Sequence, residues 1–386
     1  MQRRFFFGAL FAFGLLSLAP SFAHAAQLKQ SLEVGGWIPY WRADQGVADV
    51  EPHISDFTAI YPFGYTVSSE GVLYDAMGIA DDPWKTLVAQ AKADHVRVIP
   101  TVMWSDGQQI YDTLSNSTTR IALEDQIAAL ATREGFDGID IDFENKTAET
   151  KPYFSLFLKG LYSRMGQKWV YCTIESRTPL DSRYTGTPPA DASVYANDFT
   201  QINKYCDRVQ IMAYDQGTID QKLNAAANSA PYAPVADPAW VTKVVQVAEQ
   251  SISKKKIILG IPTYGYEYQV TPLSQQGFSY DIQWSFDPTY ALQLAASYGI
   301  TPMRNTAGEL SFSYLPSSTP AVAGVPTAAA VGPAVSTSTQ TFNLLWWDDA
   351  VSVAQKIALA KQLGLRGVAI FKLDGGEDSR IWSVLD

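Results

Sequence analysis

Apolar runs of strand length alternate with amphipathic segments along most of this chain, and this alternation constrains the fold more than any other feature. Asp237-Pro238 is typical of a helix start, and Gly135 and Gly166 lie where helices should end. Eight runs resemble strands: 34–41, 59–67, 96–102, 136–144, 169–174, 208–214, 257–262 and 367–373. Such alternation predicts an α/β fold, a (β/α)8 TIM barrel with its active site at the carboxyl ends of the strands.

The alternation stops between the seventh and eighth predicted strands. Residues 278–284 and 309–314 resemble strands, and Asp287-Pro288 begins a helix between them. Residues 316–341 are rich in Pro, Ala, Ser and Thr, which is typical of a flexible surface loop. The predicted organisation is a barrel at residues 32–266 and 342–386 with a small α+β insertion at 267–341.

The first 25 residues have the features of a signal peptide. Arg3 and Arg4 precede an apolar run at residues 5–18, and Ala23-His24-Ala25 is a small-x-small cleavage site. We expect a secreted or periplasmic protein without stable membrane insertion after cleavage, with an uncleaved anchor as the alternative. Cleavage removes two cations and no acid, which takes the formal charge from −10 to −12. This charge argues against nucleic acid and anionic membranes as partners.

Three carboxylates occupy alternate positions of the fourth predicted strand. Asp140, Asp142 and Glu144 share one face, while Ile141 and Phe143 lie on the other. A solvated edge strand and a calcium loop are the alternatives, but the apolar residues between the acids disfavour a calcium loop. Like charges this close raise the pKa of at least one acid, which can then donate a proton near neutral pH. Cleavage of a glycosidic bond requires such a donor.

The cysteines and histidines provide few candidates for metal binding or redox chemistry. Cys172 and Cys206 lie near neighbouring predicted strands, so a disulfide and two buried free thiols both remain open. Of three histidines, one lies in the predicted signal peptide, which leaves no cluster of zinc ligands. We expect no metal site and no cofactor.

The acidic strand resembles a known family motif. The segment Asp137-Gly138-Ile139-Asp140-Ile141-Asp142-Phe143-Glu144 matches the DxxDxDxE signature of glycoside hydrolase family 18, the chitinase family. Segments 36–41, 210–215, 260–265 and 363–378 resemble its first, sixth, seventh and eighth strands in the same order. The eighth resembles that of bacterial members, including those related to spore-cortex and cell-wall hydrolases. The resemblance spans the chain after the predicted signal peptide.

The resemblance implies a role for each acid. Glu144 would protonate the leaving oxygen while the N-acetyl group of the substrate attacks its own anomeric carbon. Asp142 would orient that acetamido group, and Asp140 would share a proton with Asp142. Tyr214 would donate a hydrogen bond to the acetamido oxygen, and Asp215 would line the same subsite. Asp137, on the opposite face, is expected to be structural.

The resemblance also implies contacts with the sugar. Phe371 occupies the position of a family tryptophan that forms the floor of the cleavage subsite. The segment at residues 98–102 replaces the family's SxGG motif, which affects the expected substrate more than the expected activity. The other predicted substrate-binding residues are Asp215, Met212, Tyr40, Trp41 and Trp104.

Together these features predict a monomeric, exported, retaining glycoside hydrolase. Its expected partner is a polysaccharide with β-1,4-linked N-acetylglucosamine, such as chitin or chito-oligosaccharides. Two alternatives remain open: an N-acetylglucosaminidase acting on peptidoglycan, and a non-catalytic lectin on the same barrel. The presence of Glu144 favours an enzyme over a lectin.

Overall fold

The computed structural model describes residues 32–227, 230–273, 277–316, 330–331 and 340–385. The predicted signal peptide and most of the 316–341 loop lie outside these residues. The strands are β1 (Glu33–Pro39), β2 (Ala59–Val67), β3 (Leu73–Asp75), β4 (Arg97–Val98), β5 (Thr101–Trp104), β6 (Gly138–Phe143), β7 (Trp169–Glu175), β8 (Arg208–Met212), β9 (Ile257–Pro262), β10 (Gly265–Pro272), β11 (Phe278–Phe286), β12 (Met303–Arg304), β13 (Leu310–Tyr314), β14 (Ala330–Val331), β15 (Phe342–Trp347) and β16 (Gly367–Phe371).

Helices connect most of the strands. The α-helices are α1 (Ala43–Val50), α2 (Trp84–Ala93), α3 (Gly107–Ser115), α4 (Ser117–Arg133), α5 (Lys151–Met165), α6 (Leu180–Arg183), α7 (Phe199–Tyr205), α8 (Gln221–Ala226), α9 (Pro238–Ala248), α10 (Pro288–Ser297), α11 (Ala350–Leu363) and α12 (Trp382–Leu385). Asp237 caps α9 by accepting a hydrogen bond from the amide of Ala239, and Gly135 and Gly166 take positive φ after α4 and α5. These three positions agree with the helix boundaries predicted from the sequence.

Eight parallel strand positions form a closed barrel. The order runs β1, β2, β4 with β5, β6, β7, β8, β9 and β16, and β1 pairs with both β2 and β16. This closure confirms the predicted (β/α)8 fold. The third position is split into β4 and β5 around Ile99 and Pro100 because proline has no amide hydrogen to donate to a neighbouring strand.

A charged cluster closes the amino-terminal end of the barrel. Glu33 at the start of β1 accepts hydrogen bonds from Arg208 and Arg366 and lies 3.4 Å from an Nη atom of Arg97. Arg97 and Arg208 also lie over the Trp169 ring, 4.9 and 4.8 Å from its centroid. One carboxylate therefore neutralises part of the charge of three guanidinium groups at this end.

The chain between β9 and α11 folds into a second sheet. Its order is β11, β10, β15, β13 and β12, with antiparallel pairs, and α10 follows β11. The sequence-based prediction placed the start of the insertion at residue 267 and residues 342–347 in the barrel. In the structure, Gly265 pairs with Trp347, so β10 and β15 both belong to the second sheet.

A buried ion cluster joins this sheet to the barrel helices. Lys356 of α11 lies 2.5 Å from Asp348 and 3.5 Å from Glu309. Glu309 also accepts hydrogen bonds from the amides of Val235 and Ala236, in the segment before α9. The insertion is therefore tied to two separate parts of the barrel.

The question of the two cysteines is answered by the fold. Cys172 of β7 and Cys206, directly after α7, form a disulfide with their Cα atoms 6.0 Å apart. No helix among the described residues combines the length and the apolar character needed to cross a bilayer.

Candidate active site

The three motif acids lie at the carboxyl end of β6. Ile141 and Phe143 belong to the large core beneath the helices, whereas Asp140 and Asp142 occupy the alternate positions on the barrel interior. Thr101 and Met103 of β5 stand beside these two acids in register. The period-two pattern of the sequence therefore separates core residues from acids as predicted.

Asp140 is fully buried and well supplied with hydrogen-bond donors. Its carboxylate accepts from Thr101 Oγ1 at 2.9 Å, Thr173 Oγ1 at 2.9 Å and Trp37 Nε1 at 3.3 Å. Burial raises the pKa of Asp140, and these hydrogen bonds hold the increase down. The surrounding strands thus fix the position of this acid, and their hydrogen bonds keep its pKa lower than burial alone would set it.

Asp142 is also buried but lacks this support. Its Oδ1 has no hydrogen-bond partner in the described part of the chain. Burial, followed by the charges of Glu144 and Asp140, raises its pKa well above the usual value, and Lys146 opposes the increase. Asp142 therefore holds a proton over a wider pH range than an ordinary aspartate does.

Glu144 lies just past the end of β6 and is half-buried. Its amide donates to the carbonyl of Trp104 at 2.8 Å, which fixes the backbone at the strand end. Burial raises the pKa of its carboxyl, and the nearby charges of Glu175 and Asp215 raise it further, while Lys146 lowers it. A proton on Glu144 near neutral pH is what general acid catalysis requires.

Lys146 and Glu175 form an ion pair beside these acids. The Lys146 side chain is only 1% exposed, and its Nζ lies 3.5 Å from Glu175 Oε1. The side-chain Nδ2 of Asn197 donates to the other Glu175 oxygen at 2.5 Å. Burial lowers the pKa of Lys146, and Glu175, Asp142 and Glu144 counteract this. Neither residue was predicted as part of the site, although Lys146 follows the acidic end of β6 by only two residues.

Tyr214 follows β8 and is buried against other rings. Its ring stacks on Phe371 with centroids 5.5 Å apart and planes inclined by 12°, and it meets Tyr264 edge-on at 6.2 Å. Burial, with the charge of Asp142 next, raises the pKa of Tyr214 well above its usual value. The phenol stays protonated and can donate a hydrogen bond at any physiological pH.

Asp215 adopts the left-handed backbone conformation, with φ of +59°. Its Oδ1 accepts hydrogen bonds from Tyr264 at 2.5 Å and Tyr266 at 2.8 Å. These contacts hold a non-glycine residue in a conformation that is rarely adopted. Neither tyrosine was among the residues singled out from the sequence, because both come from the segment after β9.

The other predicted sugar contacts differ in how far they are exposed. Tyr40 and Trp41 are exposed after β1, and the Trp41 ring meets Phe63 edge-on at 5.7 Å. Met212 is partly buried at the end of β8. Trp104 is only 4% exposed and packs on Phe143 at 5.4 Å, on the helix-facing side of β5. Its ring is thus almost fully covered by neighbouring side chains, although a substrate contact was predicted for it.

Asp137 lies away from the other acids. Its Oδ2 accepts a hydrogen bond from the amide of Val98 at 2.9 Å, and its own amide donates to the Val98 carbonyl at 3.1 Å. These two bonds tie the approach to β6 to β4. The first acid of the motif is therefore structural, in agreement with the prediction.

A family model described as glycosyl hydrolases family 18 matches residues 29–376. The chain belongs to glycosyl hydrolase family 18. The match includes the barrel, the acids of β6 and the inserted sheet. The chain is thus a glycoside hydrolase of the chitinase-like family.

Two bacterial relatives and one solved chitinase illustrate the range of this family. The chain is 24% identical to the uncharacterized glycosylase YvbX of Bacillus subtilis (strain 168) over 280 residues, covering 72% of this chain and 69% of YvbX. The spore cortex-lytic enzyme SleL of Bacillus megaterium QM B1551 matches with a TM-score of 0.68, 21% identity, and 93% and 74% coverage of the two chains. A chitinase from Chromobacterium violaceum ATCC 12472 matches with a TM-score of 0.68 and 19% identity, and the match covers 92% of this chain and 98% of the chitinase. At these identities the structural matches support the fold alone.

A cleft of about 400 Å³ adjoins the acidic site of this family-18 enzyme. Tyr264 lines it, together with Trp284 and Tyr290 from the insertion and Arg42 and Lys372 from the loops after β1 and β16. Neither Trp284 nor the charged groups of this cleft were among the predicted site residues.

Proposed function

We propose that this family-18 enzyme hydrolyses β-1,4-linked N-acetylglucosamine glycans with retention of configuration. The observation that carries the proposal is the unequal support of the acids on β6. Asp140 has three hydrogen-bond donors, Asp142 has an unpartnered Oδ1, and Glu144 is half-exposed at the strand end. A mechanism in which the substrate supplies the nucleophile needs one proton donor and one group that orients an acetamide.

Each group then has a chemical task. Glu144 gives its proton to the leaving glycosidic oxygen while the acetamido oxygen of the same sugar attacks the anomeric carbon. Asp142 accepts the acetamido N–H and stabilises the oxazolinium ion, and Asp140 shares a proton with it. Tyr214 donates to the acetamido oxygen. Water then attacks the anomeric carbon, Glu144 takes its proton as a base, and the second displacement restores the configuration.

The aromatic residues around these acids supply the sugar-binding surface. Phe371 stacks beside Tyr214 and would form the floor beneath the sugar that is cleaved. Tyr40 and Trp41 lie exposed at the rim, where further sugar rings can stack. Met212 and Asp215 line the remaining side of the subsite.

Peptidoglycan is a second candidate substrate, and the resemblance of segment 363–378 to bacterial spore-cortex and cell-wall hydrolases favours it. Its glycan strands also contain β-1,4-linked N-acetylglucosamine, so the same acids serve both substrates. The Cys172–Cys206 bridge supports export, because disulfides persist in oxidising compartments.

The proposal is tested by comparing the wild type with Glu144→Gln on chito-oligosaccharides and on purified peptidoglycan. Glutamine keeps the size of the side chain but cannot donate the acidic proton. We expect at least a hundredfold lower kcat on whichever glycan the wild type cleaves, the size typical of general acid catalysis. The anomer released first, followed by NMR, should be the β form. Equal activity of the two proteins refutes the role of Glu144, and binding without any product supports the lectin alternative.

A further inference from the structure

The cleft beside the active site is placed to hold a second sugar. Tyr264 lines the cleft and also contacts the rings of Tyr214 and Phe371, so the cleft is continuous with the acetamido-binding region. Its walls come from the inserted sheet on one side and from the loops after β1 and β16 on the other. A glycan bound across the acids would thus extend a neighbouring residue into this cleft.

An exposed aromatic ring forms one wall. Trp284 is 45% exposed, yet its Nε1 donates to Glu267 Oε2 at 2.9 Å and Tyr290 meets the ring edge-on at 4.4 Å. The ring is therefore held in place while much of its surface stays open. Such a surface can pack against the apolar face of a sugar with little loss of conformational entropy.

The two cations of the cleft differ in their partners. Lys372 donates to Asp287 at 2.8 Å and also pairs with Asp374, so two acids compensate its charge. Arg42 makes one hydrogen bond, from Nε to the backbone carbonyl of Asp374 at 3.4 Å. No acid lies within ion-pair distance of its guanidinium in the described ranges. Unlike Lys372, Arg42 therefore keeps an uncompensated charge at the wall of the cleft.

We propose that this cleft binds a carboxylate carried by an N-acetylglucosamine glycan. Arg42 donates hydrogen bonds to the carboxylate, and Trp284 packs against the sugar ring. The inference rests on the proposed function and names its substrate class: acidic glycans, such as peptidoglycan strands, rather than neutral chitin. A guanidinium matches a carboxylate through two parallel hydrogen bonds. A neutral polymer offers no anion to this group.

The carboxylate can come from two parts of peptidoglycan. In strands freed of peptides, the lactyl ether on the sugar ends in a free carboxylate. In intact strands that group is bonded to a stem peptide, which carries carboxylates of its own. Both sources present the same chemistry to Arg42, so the test needs strands of both kinds.

The test measures kcat/KM of the wild type and Arg42→Met on four glycans. These are peptide-free strands, the same strands with their carboxylates converted to amides, intact strands and chito-oligosaccharides. We expect Arg42→Met to lower the ratio of the acidic to the amidated substrate by about tenfold to a hundredfold, the size of a lost charge-assisted hydrogen bond. Arg42→Lys should lose less, because it keeps the charge and loses the two-pronged geometry.

The pattern across the substrates decides the outcome. A fall with peptide-free strands supports the proposal and assigns the lactyl carboxylate, and a fall only with intact strands supports it through the stem peptide. An equal change on acidic and neutral glycans overturns the proposal. Arg133→Met, which removes the same charge from the exposed end of α4, controls for net charge and should leave the ratio unchanged.

Binding separates this inference from the proposed function. If the wild type releases no product from any glycan, the proposed function fails. The carboxylate site is still testable in Glu144→Gln by titrating tryptophan fluorescence with peptide-free and amidated strands. We expect tighter binding of the acidic strands and loss of that preference in the double variant with Arg42→Met. Equal affinities for the two strands in Glu144→Gln overturn the inference.

Discussion

The charged cluster at the amino-terminal end of the barrel predicts a large and pH-dependent effect of Glu33→Gln. The Glu33 side chain is 8% exposed and accepts hydrogen bonds of 2.6 and 2.7 Å from Arg208 and of 2.6 Å from Arg366. Burial alone would raise its pKa, but these hydrogen bonds and the charges of Arg208 and Arg97 lower it from 4.5 to about 2. The cluster therefore favours the ionised form strongly.

This shift converts into a contribution to the free energy of unfolding. Lowering the pKa of Glu33 from 4.5 to about 2 corresponds to about 3 kcal/mol of folding free energy. Solvent screening at the end of the barrel reduces this contribution to about 2 kcal/mol. Because the folded pKa of Glu33 lies below its unfolded value, the contribution is complete above pH 4.5 and is lost as the pH falls toward 2. Glu33→Gln also leaves three guanidinium groups without their carboxylate, so we expect a total loss of about 3 kcal/mol at pH 7.

Urea unfolding followed by tryptophan fluorescence at pH 7, 5, 4 and 3 measures this difference. The gap between the wild type and Glu33→Gln should be constant from pH 7 to 5 and should shrink by pH 3. Asp181→Asn removes the acid of an exposed pair with Lys222 and should change nothing measurable. A gap below about 1 kcal/mol at pH 7, or one that stays constant down to pH 3, refutes the reasoning.

Two further predictions concern the active site and the disulfide. Lys146→Met should move the alkaline limb of the kcat/KM profile to higher pH, because Lys146 lowers the pKa of Glu144. Glu175→Gln should move the same limb to lower pH, because Glu175 raises that pKa. Shifts of the two variants in the same direction contradict this account. The Cys172–Cys206 bridge spans 34 residues, and its reduction should lower the free energy of unfolding, measured in urea, by about 4 kcal/mol. Thiol titration confirms that the bridge is reduced, and an unchanged free energy of unfolding in the reduced protein would show that the bridge contributes little.

The barrel could be predicted from the sequence because its strands are continuous apolar runs between clear helix boundaries. The inserted sheet was harder to delimit. Residues 342–347 also form an apolar run, and nothing local distinguishes them from a barrel strand. Their assignment depends on antiparallel pairing with β10, more than seventy residues earlier in the chain. Pairing at that separation leaves no periodic signal in either segment.

The acids of the site could be predicted for a similar reason, since a period of two places them on one face of a single strand. By the same rule Trp104 of β5 faces the helices, although it was predicted to contact the substrate. Thr101 contacts Asp140 inside the barrel, so residues at even positions of β5, including Trp104, point to the helices. Lys146 follows β6 and Glu175 ends β7, so the two residues meet only in the folded chain. Their pairing has no sequence signature.

The pKa values of buried carboxylates are shifted in opposite directions at the two ends of the barrel. At the amino-terminal end, three arginines lower the pKa of Glu33, and the charge contributes stability. At the carboxyl end, burial and neighbouring acids raise the pKa values of Asp142 and Glu144, with Lys146 as the main opposing charge. In the proposed mechanism, catalysis depends on the carboxyl end of the barrel, whereas Glu33 contributes to stability at the amino-terminal end. It follows that Glu33→Gln should lower the unfolding free energy without moving the pH profile, whereas Lys146→Met should move the pH profile, and only that second change bears on chemistry.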